Sequence, residues 1–194
     1  MSGGPPPVKN EARAQAAGAL LGRPLAFWRE GDEWRALGAL PVETPSGPLE
    51  AEVAVGGARL AARLSVVEPG FPSRSLTLPR RYVEPPRDPA VRARIARDRR
   101  AFDRAYDQPP AAPGFLGGFA WPRESAVTGR FGDQRVLNGT KASVHYGLDL
   151  TGPRGAPVSA SADGVVVLAR NAYYSGKTVV LFHGAGVFTL YFHL

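Results

Sequence analysis

The sequence predicts a mainly β protein: a small sandwich-like β module, one linker helix, then an antiparallel β-sheet domain. Three observations carry that prediction. Nineteen prolines and 23 glycines are spread over 194 residues, which suits short strands and turns better than long helices. The runs between them are rich in β-branched and aromatic residues, the composition of strands. Only one stretch, from Asp88 to about Tyr106, has the capped, amphipathic pattern of a helix.

Residues 1–15 are Gly, Pro and polar, and disorder is expected there. Over residues 16–79 the runs Leu25–Trp28, Trp34–Leu40, Leu49–Val55 and Arg59–Val67 read as strands of the first module. Gly56-Gly57 is a two-residue hairpin signal, since both central positions of such a turn need positive φ. Residues 80–118 form the linker, with its helix at about 88–106. Asp88 suits the N-cap and Pro89 the first helical position, where a missing N–H costs nothing. Val91, Ile95, Phe102 and Tyr106 share one face, and Arg92, Arg97, Arg99, Arg100 and Arg104 spread over the rest. Such a helix can grip phosphates or serve as a solvated strut, and the strut is the commoner use. Asp107-Gln108-Pro109-Pro110 ends it, and Pro113-Gly114 through Gly117-Gly118 completes the linker. Residues 119–194 form the second β domain, with strands at Val165–Leu168, Thr178–Phe182 and Val187–Phe192 and a hairpin at Gly184-Ala185-Gly186.

Composition excludes several classes of function. No apolar run is long enough to span a membrane as a helix. There is no cysteine, so disulfides, thiolate metal sites and Cys nucleophiles are out, and a metal would need His, Asp or Glu. The net charge of +7 is almost wholly arginine, the only lysines being Lys9, Lys141 and Lys177. A basic surface suits a polyanion, whether nucleic acid, anionic lipid or an anionic cell wall, although a GC-rich coding bias gives the same composition. The N-terminus lacks a basic segment followed by an apolar one, so it is no signal peptide as it stands.

All three histidines fall in the second β domain. His145 and Asp149 stand four apart in His145-Tyr146-Gly147-Leu148-Asp149. Zinc takes imidazole nitrogen and carboxylate oxygen at about 2.0–2.2 Å, so two such ligands must bring their donor atoms close together. On a straight strand residues four apart lie roughly 13 Å apart. The segment must therefore bend if the pair is to act together, and Gly147 is the place where a bend costs least. A His-x-x-x-Asp pair is common by chance and alone proves little. His193, near the end of a strand, is a candidate of the same kind, or else a histidine hydrogen-bonded on a strand face. His183, at the hairpin corner, reads as structural.

The run from Gly129 to Arg135, then Asn138-Gly139 and His145–Leu150, resembles the core of the lysostaphin/LytM-type zinc metallopeptidases. Gly155-Ala156-Pro157-Val158, Ala162–Val166, His183-Gly184 and Tyr191-Phe192-His193-Leu194 follow in the order and spacing of that family. The resemblance covers about residues 120–194. It implies an antiparallel β-sheet peptidase domain that binds Zn2+ through His145 and Asp149 and assists the attacking water through His193. It further implies hydrolysis of peptide cross-links in peptidoglycan, outside the cytoplasm, in the periplasm or beyond. A monomer is expected, with peptidoglycan peptides as partner and no nucleic acid.

One part of the family pattern is not met. The third protein ligand and a second catalytic histidine come from a C-terminal His-x-His motif, and this sequence contains none. It therefore reads as a C-terminally truncated, inactive piece of the enzyme, and Met1 is not expected to be the start of an exported protein. A non-catalytic LytM-like regulator of wall hydrolases is the alternative. The retained His145, Asp149 and His193 count against it.

Overall fold

The computed structural model describes residues 16–79 and 83–194. The expected N-terminal disorder lies outside the described residues. The chain divides between Glu68 and Pro69 into two compact units.

Among the described residues of the N-terminal unit, the regular structure is all β. Strands β1 (Ala16–Leu20), β2 (Arg23–Pro24), β5 (Gly47–Val55) and β6 (Ala58–Val66) form an antiparallel sheet in the order β2-β1-β5-β6. Strands β3 (Ala26–Glu30) and β4 (Glu33–Leu37) pair as a separate hairpin. Gly56 and Gly57 join β5 to β6 at φ 57° and 87°, the doubly left-handed turn that their lack of Cβ permits. Among the described residues of this unit, Leu20 and Ala51 are the buried apolar side chains.

The C-terminal unit opens with β7 (Ser73–Leu76), followed by α1 (Pro89–Tyr106), β8 (Val127–Gly129), β9 (Gln134–Leu137) and β10 (Lys141–Val144). Then come β11 (Asp149–Leu150), β12 (Val165–Ala172), β13 (Gly176–Phe182) and β14 (Phe188–Tyr191). Strands β12, β13 and β14 make an antiparallel meander with β13 at its centre. The core gathers on β13 and the turn after it, where Thr178, Val180, Leu181, Phe182, His183 and Ala185 are all buried. Beside this meander stand the β8–β11 pair and a sheet of β10, β9 and β7.

Strand β7 runs parallel to β9 and pairs with it from Ser73–Gln134 to Leu76–Leu137. The sequence reading groups this segment with the N-terminal module. It joins the C-terminal unit because its partner strand lies there, and parallel pairing between segments so far apart leaves no local trace in the chain.

Helix α1 starts as its caps require, with the Asp88 carboxylate accepting from the Ala90 amide at 2.8 Å and proline leading the first turn. Its buried face differs from the expected apolar stripe, for it consists of Asp98, Ala101 and Ala105. Phe102 and Tyr106 lie beside them and meet Phe192 and Phe188 edge-on at 6.4 and 5.3 Å. The small alanines let the helix approach the sheet closely. Asp98 then accepts from Arg170 Nε at 2.5 Å and from the Tyr173 amide at 2.8 Å, with Arg94 at 4.0 Å. Burial alone would raise the Asp98 carboxyl, but the Tyr173 amide and the two arginines outweigh it and hold it below the ordinary aspartate value.

The stretch after the helix is no free spacer. The Gly114 amide donates to the His183 carbonyl at 2.7 Å, and the Ala185 amide donates to the Ala111 carbonyl at 2.9 Å. A Cβ on Gly184 would overlap the Ala112 carbonyl, so glycine there allows the chain to press against the β13–β14 turn.

Because the folded value of Asp98 is depressed, its contribution is full at neutral pH and is lost as pH falls below about 4. Asp98→Asn should lower the denaturation midpoint at pH 7, and the gap from the parent should close towards pH 3. Asp98→Ala should cost about 2 kcal/mol at neutral pH, since the Tyr173 amide and the part-exposed Arg170 both lose their acceptor. Urea unfolding at pH 3, 5 and 7 checks both, and a gap that widens on acidification contradicts the assignment.

Candidate functional site

The sequence-predicted pair is built by two neighbouring hairpins. Strands β9 and β10 turn through Asn138 and Gly139, both at positive φ (52° and 73°), and the ladder continues past them to His145. The His145 amide donates to the Asp133 carbonyl at 2.9 Å, and the Gly132 amide donates to the His145 carbonyl at 2.8 Å. This fixes the His145 backbone on both sides. The chain then leaves the ladder over Tyr146–Leu148 and re-enters as β11, where Asp149 pairs with Gly129 of β8 and a bulge follows.

The required bend is therefore present, though Gly147 does not supply it through positive φ, and its amide chain takes a conformation open to other residues. The glycine the geometry needs is Gly129. A Cβ there would press deep into Asp149 Oδ2 and come within 3.1 Å of His145 Cε1.

The two side chains converge. His145 Nε2 lies 3.3 Å from Asp149 Oδ1. His145 Nδ1 lies 2.9 Å from the Arg130 carbonyl oxygen, which can only accept, so Nδ1 carries the hydrogen of that bond. In the neutral ring Nε2 then presents a lone pair towards a carboxylate oxygen. Two such groups facing each other call for a cation between them, either a proton or a metal. The separation suits the metal, since two donors at about 2.0–2.2 Å on a tetrahedral ion stand roughly 3.3–3.6 Å apart. A backbone carbonyl on the far nitrogen is also the usual way in which a ligating histidine is oriented. His145 is largely shielded and Asp149 is more than half exposed, so the pair opens to solvent on the Asp149 side. Among the described residues no third His, Asp or Glu joins them.

Behind His145 sits a buried carboxylate that the sequence reading passed over. Asp133 is 4% exposed, and its Oδ2 accepts from Arg74 Nη2 at 2.5 Å and from the Arg130 amide at 3.4 Å. Burial works to raise its carboxyl. The Arg74 hydrogen bond and charge, the Arg130 amide and, last, nearby His145 together hold it below the ordinary aspartate value. Gly129 and Asp133 both lie in the run that carries the resemblance, but their roles depend on a cross-strand approach. Arg74, 59 residues from Asp133, gives no signal in the sequence.

The other two histidines differ from this pair. His183 is 2% exposed, with Nδ1 donating to the Asp163 carbonyl at 2.7 Å and Nε2 2.7 Å from the Thr189 hydroxyl. Both ring nitrogens are spoken for, as the structural reading of this residue expects. His193 follows β14 in the left-handed region (φ 59°) and is exposed, its amide donating to the Ser175 carbonyl at 2.9 Å. Its ring stands over Gly176, where a Cβ would come within 3.4 Å of Nδ1. Among the described residues no hydrogen bond or ion pair joins His193 to His145 or Asp149.

Comparison with known proteins converges on one family. The sequence profile of Peptidase family M23 matches residues 143–194. The peptidoglycan DD-endopeptidase ShyA of Vibrio cholerae is 42% identical over 69 residues, 35% of this chain and 16% of that protein. The DD-carboxypeptidase/endopeptidase Mpg of Neisseria meningitidis is 45% identical over 51 residues, 26% of this chain and 12% of that protein. The match thus spans about a sixth or less of these curated relatives. A solved structure from Pseudomonas aeruginosa, provisionally assigned to peptidase M23, superposes with a TM-score of 0.67 at 26% identity, covering 92% of this chain and 66% of that one. The stretch that holds His145, Asp149 and His193 is thus similar to Peptidase family M23.

Proposed function

We propose that this chain carries the zinc-binding part of an endopeptidase that hydrolyses peptide cross-links of bacterial peptidoglycan. The observation that carries the proposal is the facing of His145 Nε2 and Asp149 Oδ1 at 3.3 Å while Nδ1 is held by the Arg130 carbonyl. The similarity to ShyA and Mpg, both named for endopeptidase activity, supports the substrate class.

In this reading His145 and Asp149 hold the ion. Zinc, when bound, lowers the pKa of its water and polarises the scissile carbonyl. The rest falls to the chain's own groups. The Arg130 carbonyl keeps the His145 ring in one tautomer, so that Nε2 is always the free donor. Gly129 leaves room for the Asp149 carboxylate. His193, with a fixed backbone and an exposed ring, takes a proton from the attacking water or steadies the developing oxyanion. A net charge of +7 favours approach to an anionic envelope, and the substrate places the protein in the periplasm or outside the cell. Among the described residues no helix is long and apolar enough to cross a membrane.

Three variants test the roles. His145→Ala and Asp149→Ala should each weaken zinc binding by more than the 10–100-fold typical of losing an outer partner. In a form of the chain extended through a His-x-His motif, His193→Ala should leave zinc content unchanged and lower hydrolysis of purified peptidoglycan by about 10²–10⁴-fold. Zinc retained after dialysis, measured beside hydrolysis, separates them. If His193→Ala loses zinc as fully as His145→Ala, the histidine is a ligand and its role here is wrong.

Gly129→Ala tests the site from its unoccupied side. The added methyl has nowhere to go except into Asp149, so the carboxylate must turn away from His145. Zinc affinity should drop at least tenfold with the far-ultraviolet circular dichroism unchanged. Full zinc binding by this variant would show that the Asp149 rotamer does not matter to the metal.

A further inference from the structure

We infer that Arg74 is a positioning residue for His145, acting across the sheet through Asp133. The inference rests on reading His145 and Asp149 as the metal pair, and its test is arranged so that the two can fail separately.

The argument starts from the segment that delivers Arg74. Residues Phe71–Leu78 are fastened along β9 at both ends. At one end the Gln134 amide donates to the Pro72 carbonyl at 2.9 Å. There the Phe71 ring occupies the space over Gly132 that any Cβ would need, and it meets Phe131 edge-on at 5.9 Å. At the other end the Asn138 amide donates to the Leu76 carbonyl at 2.9 Å. The Asn138 side chain then brackets Leu78, accepting from its amide at 2.8 Å and donating to its carbonyl at 3.0 Å. Arg74 falls between these two anchors, so its Cα is not free to drift.

From there the chain of contacts has few links. Arg74 Nη2 donates to Asp133 Oδ2, and the same oxygen accepts from the Arg130 amide. The carboxylate thus gathers the loop Arg130–Asp133 around itself. That loop supplies three groups that hold His145: the Asp133 carbonyl takes its amide hydrogen, the Gly132 amide donates to its carbonyl, and the Arg130 carbonyl takes the hydrogen on Nδ1. Asp133 is almost wholly buried while Arg74 is about half exposed, so the arginine is the group that makes burial of this charge tolerable. Without it the carboxylate must find water. The loop would have to open, the Arg130 carbonyl would leave Nδ1, and Nε2 would no longer be kept facing Asp149.

The test compares the 194-residue chain with its Arg74→Met, Arg74→Lys, His145→Ala and Asp149→Ala variants. Zinc affinity is read by competition with a chromophoric chelator. The ring of His145, identified by its loss in His145→Ala, is read by long-range proton–nitrogen correlation without metal. Met keeps the length of the stem and removes the charge, whereas Lys restores a single donor. Arg74→Met should weaken zinc about tenfold, as for an outer partner, and should mix the His145 tautomers. Arg74→Lys should recover most of both.

A folded Arg74→Met chain with parental zinc affinity and an unchanged His145 ring overturns the inference. So does unfolding of both Arg74 variants, which would make Arg74 a general prop of the fold. Parental zinc binding by His145→Ala and Asp149→Ala would instead overturn the metal reading. The ring spectrum of Arg74→Met would then still decide whether Arg74 orients His145.

Discussion

One backbone carbonyl, that of Arg130, decides which nitrogen of His145 faces Asp149. An imidazole on a strand can present either nitrogen, and a flexible ring would spend much of its time with the wrong one forward. Tying Nδ1 to a main-chain oxygen removes that choice. The carbonyl is itself placed by the loop that the buried Asp133 gathers, and Asp133 by an arginine from a strand far back in the sequence. The small sheet of β10, β9 and β7 is thus a mount for one ring. Much of the C-terminal unit's irregular backbone, including the bulge at Asp149 and the glycine opposite it, follows from bringing a second donor to that ring.

How much of this could be read in the sequence depended on the range of the interaction. The helix was legible almost to the residue, because Asp88 and Pro89 act within one turn. So was the Gly56-Gly57 hairpin, whose demand for positive φ is local. The convergence of His145 and Asp149 was legible as a condition: residues four apart on a strand meet only if the strand is interrupted, and it is. What was not legible was the means. Gly147 stands at the midpoint, yet the space that matters is made across the pairing, by Gly129.

The helix shows the same limit in another form. Its hydrophobic periodicity pointed to Val91, Ile95, Phe102 and Tyr106 as the docked face. The structure buries Asp98 along with Ala101 and Ala105, because an arginine on β12 and an amide at its end make a charged residue worth burying there. Pattern alone assigns an aspartate to solvent. Arg74 is the extreme case, since neither its neighbours nor its spacing hint at a partner on β9, and parallel pairing can join any two segments that a long connection allows.

The buried His183 gives the last strand a different kind of support from that of the His145–Asp149 pair. Its ring bridges the Asp163 carbonyl and Thr189. The Thr189 hydroxyl lies 3.1 Å from Tyr191, whose own hydroxyl accepts from the Ser161 amide at 2.8 Å. This relay ties β14, and with it the approach to His193, through hydroxyls, amides and an interior ring. The mount of His145, by contrast, leans on a charge pair with one member half in water. Dissolved salt screens the second kind of bond and leaves the first nearly untouched. The two halves of the proposed machinery therefore differ in their sensitivity to ionic strength, by a small margin because Asp133 is buried: salt reaches the exposed side of Arg74 and spares the strand that ends at His193.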